Sequence, residues 1–421
     1  MRYYNLKDKS ETVSFGEAIQ RGLGSRQGLF MPEKIPEYLD RQIERLLEMN
    51  FVERSIEILA PFVEPDIDKD SLTGIVTEAF NFPIEIPCVN EKRDRYVMEL
   101  FHGPSLAFKD FGARFLARCL DHVLGEQETT ILTATSGDTG AAVAHAFFGQ
   151  EKTPVVVLYP KGKISILQEK LFCTLGYNIQ TLAVDGDFDA CQAMVKQAFS
   201  DDDLRDKVSI STANSINVAR LLAQICYYFE ILAQRPTVRN VCVPSGNFGN
   251  VTAGLMAKAM GLPIERFLAA TNANDTVPRF FETKKWDPRP TVETISNAMD
   301  VARPNNFPRV SHLAANYNIK VNESLFSVSV TEQQTREMMQ HVAKNGYIAD
   351  PHTSLALFAA QLWDHTAVLG TAHPAKFLDV MSVNGIAVDL PDALAKVQDS
   401  ELLSIDVPAE YAALREILLE D

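Results

Sequence analysis

A chain of 421 residues, 46% of them hydrophobic, is long enough for two or three cores at about 150 residues per domain. Its formal net charge of −15 argues against a polyanion-binding surface, so no nucleic-acid partner is expected, and a phosphorylated ligand must meet a local cluster of donors. No apolar run reaches the roughly 18 residues that span a bilayer, and M-R-Y-Y-N-L-K-D-K-S-E lacks a signal core, which predicts a soluble, cytoplasmic protein without a membrane partner.

Residues 1–93 read as a mainly helical domain. I-P-E-Y-L-D-R-Q-I-E-R-L-L-E-M and V-E-R-S-I-E-I-L-A-P-F-V repeat apolar residues every three or four positions, with charges between them. From about residue 95 strand-like runs alternate with helix-like ones. The strands are Y-V-M-E-L-F (96–101), T-I-L-T-A-T (130–135), P-V-V-V-L-Y (154–159), V-S-I-S-T (208–212) and N-V-C-V-P (240–244). Such alternation predicts an α/β protein with parallel sheets covered by helices on both faces. A Pro- and Asn-rich stretch within 286–309 (W-D-P-R-P, R-P-N-N-F-P-R) reads as a loop or lid, after which alternation resumes with L-F-S-V-S-V.

Six cysteines stand singly, without C-x-x-C or metal-ligand spacing, and most, in apolar context, fit small buried thiols in a reducing compartment. The eight histidines offer no H-E-x-x-H, so no metal is expected, and no G-x-S-x-G elbow supports a hydrolase triad.

Two glycine turns fall where a strand hands over to a helix: T-S-G-D-T-G (135–140) and S-G-N-F-G-N (245–250). At that edge of an open α/β sheet, ligands bind. Glycines let backbone N–H groups approach an anion, and the following helix start adds positive potential. A tight turn without a ligand is the plain alternative. Neither turn is a Walker A loop or a dinucleotide fingerprint. Lys109, in F-H-G-P-S-L-A-F-K-D-F-G-A-R-F, lies between Phe108 and Phe111 just before an expected helix. Desolvated there, its amine would be an available nucleophile for an aldehyde, and pyridoxal phosphate carries both an aldehyde and a phosphate needing an anion cup. In N-S-I-N-V-A-R-L-L (214–222), Asn214, Ser215, Asn217 and Arg220 lie near a helix start, and Asn217 and Arg220 share a face that suits an oxyanion. Ordinary capping by Asn214 or Ser215 is the alternative. In V-L-G-T-A-H-P-A-K-F (368–377) an apolar strand ends at Thr371, and His373, Pro374 and Lys376 read as a strand-to-helix turn.

Together these blocks, with Y-P-K-G-K-I-S and A-D-P-H-T-S, resemble the threonine synthase family, in the branch with a separate N-terminal segment. The similarity runs in order from R-Y-Y-N and Q-G-L-F-M-P to about residue 377. The resemblance implies a fold-type-II pyridoxal phosphate enzyme with two parallel-sheet, three-layer lobes and an N-terminal helical segment. The expected units are 1–93, 94–215 with the lysine loop and first glycine turn, and 216–421 with the second turn. It implies conversion of O-phospho-L-homoserine and water to L-threonine and phosphate. A lyase giving 2-oxobutyrate and a non-catalytic sensor on the same fold are the alternatives. Carried over by position, Lys109 would hold the cofactor. Gly246, Asn247, Phe248, Gly249 and Asn250 would present amides to its phosphate, and Thr371 would meet the ring nitrogen. Ser136, Gly137, Asp138 and Thr139 would receive substrate, although an anionic Asp138 would repel a carboxylate. Lys161, Lys163, Asn214, Ser215, Asn217 and Arg220 are the candidates for the substrate phosphate. A monomer or weak homodimer is expected.

Overall fold

The computed structural model describes residues 1–420. The chain starts with strands β1 (Arg2–Asn5), β2 (Asp8–Ser14) and, after helix α1 (Phe15–Arg21), β3 (Phe30–Pro32), which form an antiparallel sheet in the order β2-β1-β3. The mainly helical reading of residues 1–93 therefore misses a sheet. Strands β1 and β3 are short and β2 is mostly polar, so they show little of the alternation that marks a strand. Helices α2 (Asp40–Glu48), α3 (Phe51–Val63) and α4 (Lys69–Ala79) follow where the apolar spacing predicts helix. Asn50 and Glu53 close a capping box on α3.

Next come β4 (Cys88–Asn90), β5 (Arg95–Glu99), α5 (Lys109–Leu124), β6 (Thr130–Ala134), α6 (Asp138–Phe147), β7 (Val155–Pro160) and α7 (Ile166–Cys173). They are followed by β8 (Ile179–Asp185), α8 (Phe188–Ser200), α9 (Asp202–Arg205), β9 (Ile210–Ser211) and α10 (Val218–Gln234). Then β10 (Asn240–Pro244), α11 (Gly249–Ala259), β11 (Arg266–Thr271), β12 (Leu325–Ser329), β13 (Thr366–Gly370) and β14 (Ile405–Pro408) complete two sheets. One is β14-β8-β7-β6-β9, parallel throughout. The other is β12-β11-β10-β13-β5-β4, parallel except for β4 at its edge.

The sheets do not follow the expected boundaries at 93/94 and 215/216. Strand β5 joins the sheet of the later residues, and β14 returns to the sheet of the earlier ones. Each lobe thus takes a strand from the other's stretch of sequence.

Helix α10 is buried from Val218 to Leu232 on every side, the pattern of a helix at the centre of a packed interior rather than on its surface. Arg54 of α3 is buried against it and pairs with Glu230, which ties the N-terminal helices to this centre. In α5, Phe111, Phe115, Leu116, Cys119 and Leu120 recur at helical spacing and are fully buried. Burying a side chain of this size contributes about 1.5–3 kcal/mol, so the face holding Lys109 at the first turn of α5 is strongly anchored.

Three neighbouring strands of the six-stranded sheet, β10, β13 and β5, lead at their carboxyl ends to the 245–250 turn, to Thr371 and to the lysine loop. Strand β6 of the other sheet leads into the 135–140 turn.

Candidate active site

The lysine loop and the 371–376 segment are laced together by their backbones. The Phe108 amide donates to the Thr371 carbonyl at 2.9 Å, and the His373 amide donates to the Leu106 carbonyl at 3.0 Å. Residues far apart in sequence thus reach one place. The Lys109 amine lies 5.0 Å from the centroid of the Phe108 ring, whereas Phe111 turns into a cluster with Phe51, Phe80, Phe82 and Tyr227. Of the two flanking aromatics, the amine meets Phe108.

Asp138, 3% exposed at the first position of α6, sits between two lysines. Its Oδ2 is 3.3 Å from Lys109 Nζ, and its Oδ1 is 2.6 Å from Lys376 Nζ. Gln168 Nε2 also donates to Oδ1, at 3.1 Å. Burial opposes ionisation of this carboxyl, but Lys376 and then Lys109 hold it far below the usual carboxylate range. Burial likewise pushes the Lys109 amine below the ordinary lysine value, against the pull of Asp138, while Lys376 and Arg220 reinforce the depression. Lys376 is fully buried and donates to the Ser105 carbonyl at 2.8 Å. Neither Lys376 nor Gln168 stands out from sequence spacing alone. The signal for Lys376 is its place between Ala375 and Phe377, just past an apolar strand, where a solvated cation has no reason to sit.

The two glycine turns are built differently. In 135–140, Thr135 Oγ1 takes the amides of Gly137 and Gly140 at 3.0 and 2.7 Å, and Gly137 has φ +121°, open to glycine. In 245–250, Phe248 has φ +60° and turns the chain into α11. Among the described residues, the amides of 246–251 have no backbone carbonyl to donate to, as expected of a loop and first helical turn. A Cβ at Gly246 would lie 2.7 Å from Met299 Cα, so the turn is pressed against the 297–299 backbone. The Asn247 side chain braces the cup, donating to Ser215 Oγ at 3.1 Å and accepting from the Asn305 amide at 2.7 Å. The Pro- and Asn-rich stretch therefore clasps this turn. Asn250 faces inward: its Oδ1 accepts from Tyr227 and Tyr228 at 2.7 and 2.8 Å, and its Nδ2 is buried without a partner.

Of the proposed phosphate contacts, Arg220 has the properties expected. It is 2% exposed and donates from Nη1 to the Ala213 carbonyl at 2.6 Å. Its Nε has no partner, and no carboxylate pairs with it among the described residues. Burial lowers its guanidinium to about 10, with Asp110 opposing. A buried guanidinium without a counter-anion is costly unless an anionic ligand supplies one. Asn214 reaches across to the Ala134 carbonyl at the end of β6, at 3.2 Å. Asn217 corrects the reading of a shared face with Arg220. Helix α10 starts at Val218, so Asn217 is its N-cap, and its Nδ2 is taken by the carbonyls of Ile19 and Thr212. Lys161 is exposed and ion-paired with Asp406 on the edge strand β14. It is not brought into the Lys109 cluster. Lys163 lines a cleft of about 440 Å³ with Gln168, Asn297 and Phe377, next to Asp138 through Gln168.

A phosphate-bearing aldehyde fits this donor set: a desolvated amine, a turn of free amides and orphaned buried donors at Arg220 and Asn250.

Comparison with known proteins agrees with this geometry. Residues 87–371 match a family described as pyridoxal-phosphate dependent enzyme, and residues 2–80 match the threonine synthase N terminus. Threonine synthase of Serratia marcescens is 53% identical, with 100% of this chain and 99% of that protein covered. A crystal structure of threonine synthase from Escherichia coli superimposes with a TM-score of 0.94 at 51% identity, covering 100% of this chain and 99% of that one. A structure of threonine synthase with bound pyridoxal phosphate, from Brucella melitensis, gives 0.91 at 32% identity, covering 100% and 99%. With its site built around a largely buried amine and a cup of free amides, the chain belongs to the threonine synthase family of pyridoxal-phosphate-dependent enzymes.

Proposed function

We propose that Lys109 holds the cofactor and moves the protons as O-phospho-L-homoserine and water become L-threonine and phosphate. The observation that carries this reading is the desolvated Lys109 amine, set beside strand ends that deliver a turn of free amides. Pyridoxal phosphate, when bound, supplies an aldehyde for covalent attachment and a ring that takes up negative charge. The chain supplies the rest. Amides of Gly246, Asn247, Phe248, Gly249 and Asn250 bind the cofactor phosphate, and Thr371 meets the ring nitrogen. Once its amine is free, Lys109 takes the α-proton and returns protons along the substrate carbons. Ser136 and Thr139 receive the substrate carboxylate; Gly137, expected to share this contact, instead gives its amide to Thr135 Oγ1. Asp138 does not receive it, because it is a buried anion paired at 2.6 Å with Lys376 and at 3.3 Å with Lys109.

Arg220, with Asn214 and Ser215, binds the substrate phosphate, and Lys163 stands at the rim. Arg220→Ala is expected to lower kcat/KM for O-phospho-L-homoserine by about 10²-fold or more while retaining bound cofactor. Unchanged kinetics would remove Arg220 from this role. A cytoplasmic location fits six cysteines that are all free. No helix is long and apolar enough to cross a membrane among the described residues. Incubation with O-phospho-L-homoserine, with phosphate and threonine measured together, tests the reaction. Equal yields support it; phosphate with 2-oxobutyrate in place of threonine overturns it.

A further inference from the structure

We infer that Lys376 is a positioning residue that draws Asp138 away from Lys109 and so keeps the Lys109 amine free of a committed counter-anion. The inference rests on the reading that Lys109 is the cofactor-bearing amine.

The geometry is asymmetric. Asp138 stands 2.6 Å from Lys376 and 3.3 Å from Lys109, and it meets them through different oxygens. Lys376 has no exposure and two buried acceptors, Asp138 Oδ1 and the Ser105 carbonyl. Ser105 belongs to the lysine loop itself, and its amide donates to Asp110 Oδ2 at 2.9 Å. Lys376 is therefore fixed by the very loop that carries Lys109. Gln168 adds a third donor on the Lys376 side of the carboxylate.

Consider the charges when Lys109 is neutral, as a nucleophile or a proton acceptor must be. With Lys376 present, Asp138 and Lys376 remain a matched buried pair. Without it, Asp138 would be an unpaired buried carboxylate with Lys109 as its sole cationic neighbour at contact distance, and it would hold Lys109 as an ammonium ion. The other charged or titratable groups around these side chains are few. Lys109 is faced by Arg220 of α10, and Asp138 by His352. Lys376 is faced by Asp110 of α5, His145 of α6 and the neighbouring His373. Burial keeps both His145 and His373 below their ordinary value, so neither provides a cation near neutral pH.

The test uses the full-length chain stripped of cofactor, with pyridoxal phosphate as the probe. In the probe reaction the Lys109 nitrogen adds to the aldehyde carbon, a C=N bond forms, and the aldehyde oxygen leaves as water with both amine hydrogens. The rate is followed by absorbance near about 410–430 nm across pH, at saturating probe. Lys376→Met is expected to raise the pH midpoint by about one unit or more, which is about tenfold slower attachment at fixed pH below it. Asp138→Asn is expected to lower the midpoint below that of the unsubstituted chain, and in that background Lys376→Met is expected to raise the midpoint by less than it does in the unsubstituted chain. A side chain that merely fills space gives no such order. Should Lys376→Met fail to fold, Lys376→Gln, which keeps a buried donor but not the charge, takes its place, and it must likewise raise the midpoint. Equal midpoints across the variants overturn the inference. Absence of any attachment in the unsubstituted chain instead overturns the reading of Lys109.

Discussion

The turns T-S-G-D-T-G and S-G-N-F-G-N look alike in sequence, each joining a buried strand to a helix, yet they present opposite electrostatics. The first carries Asp138 at the start of α6, and its glycine amides are partly consumed by Thr135. It is an anionic element that organises two lysines. The second has no charged side chain, its asparagines are turned into the scaffold, and its amides are left open. It is a cationic element suited to a phosphate. Glycine content and position on a sheet edge mark both as sites; the side chains of the turn decide which charge each one serves.

Four substitutions test that contrast, from the largest effect to the smallest. Lys109→Ala removes the amine that the first turn organises, and threonine formation is expected to fall by about 10⁴-fold or more, with no covalent cofactor in the absorbance spectrum. Retained turnover would separate Lys109 from the chemistry. Gly246→Ala attacks the second turn, where the new methyl meets backbone at Met299. It should displace the amides and weaken pyridoxal phosphate binding by roughly 1–3 kcal/mol, about 5- to 150-fold, as read by equilibrium dialysis. Thr135→Val unmakes the bracing of the first turn. It is expected to cost about 1–3 kcal/mol of folding stability in urea titration, with cofactor phosphate affinity nearly unchanged. A large loss of that affinity would mean the two turns are not separate devices. Lys161→Ala, at an exposed pair with Asp406, should change kcat/KM by less than about twofold and stability by under about 1 kcal/mol.

Much of this was legible before any coordinates. Strands ending in glycine turns and a lysine amid apolar residues are local patterns, and the sheet edge gathers them for general reasons. What was illegible depends on distant partners. Strands β8 and β11 each lie one strand in from a sheet edge, and N-I-Q-T-L-A-V-D and R-F-L-A-A-T are hard to separate from helix by pattern alone. Asn217 could not be told from a ligand-facing side chain without the helix start, which Ile19 and Thr212 reveal by taking its amide. Lys376 was visible as a residue but read as part of a turn, because its partner Asp138 lies more than two hundred positions earlier. Asp138 itself looked like a weak substrate ligand. In the structure it is a carboxylate set between two lysines.

On this reading Lys109, and not the more deeply buried Lys376, bears the cofactor, and covalent trapping separates them directly. The full-length chain is loaded with pyridoxal phosphate, reduced with borohydride, digested, and the labelled peptide is identified by mass. The label is expected on Lys109 in the peptide containing A-F-K-D-F, with Lys376 unmodified; label on Lys376 would contradict the account.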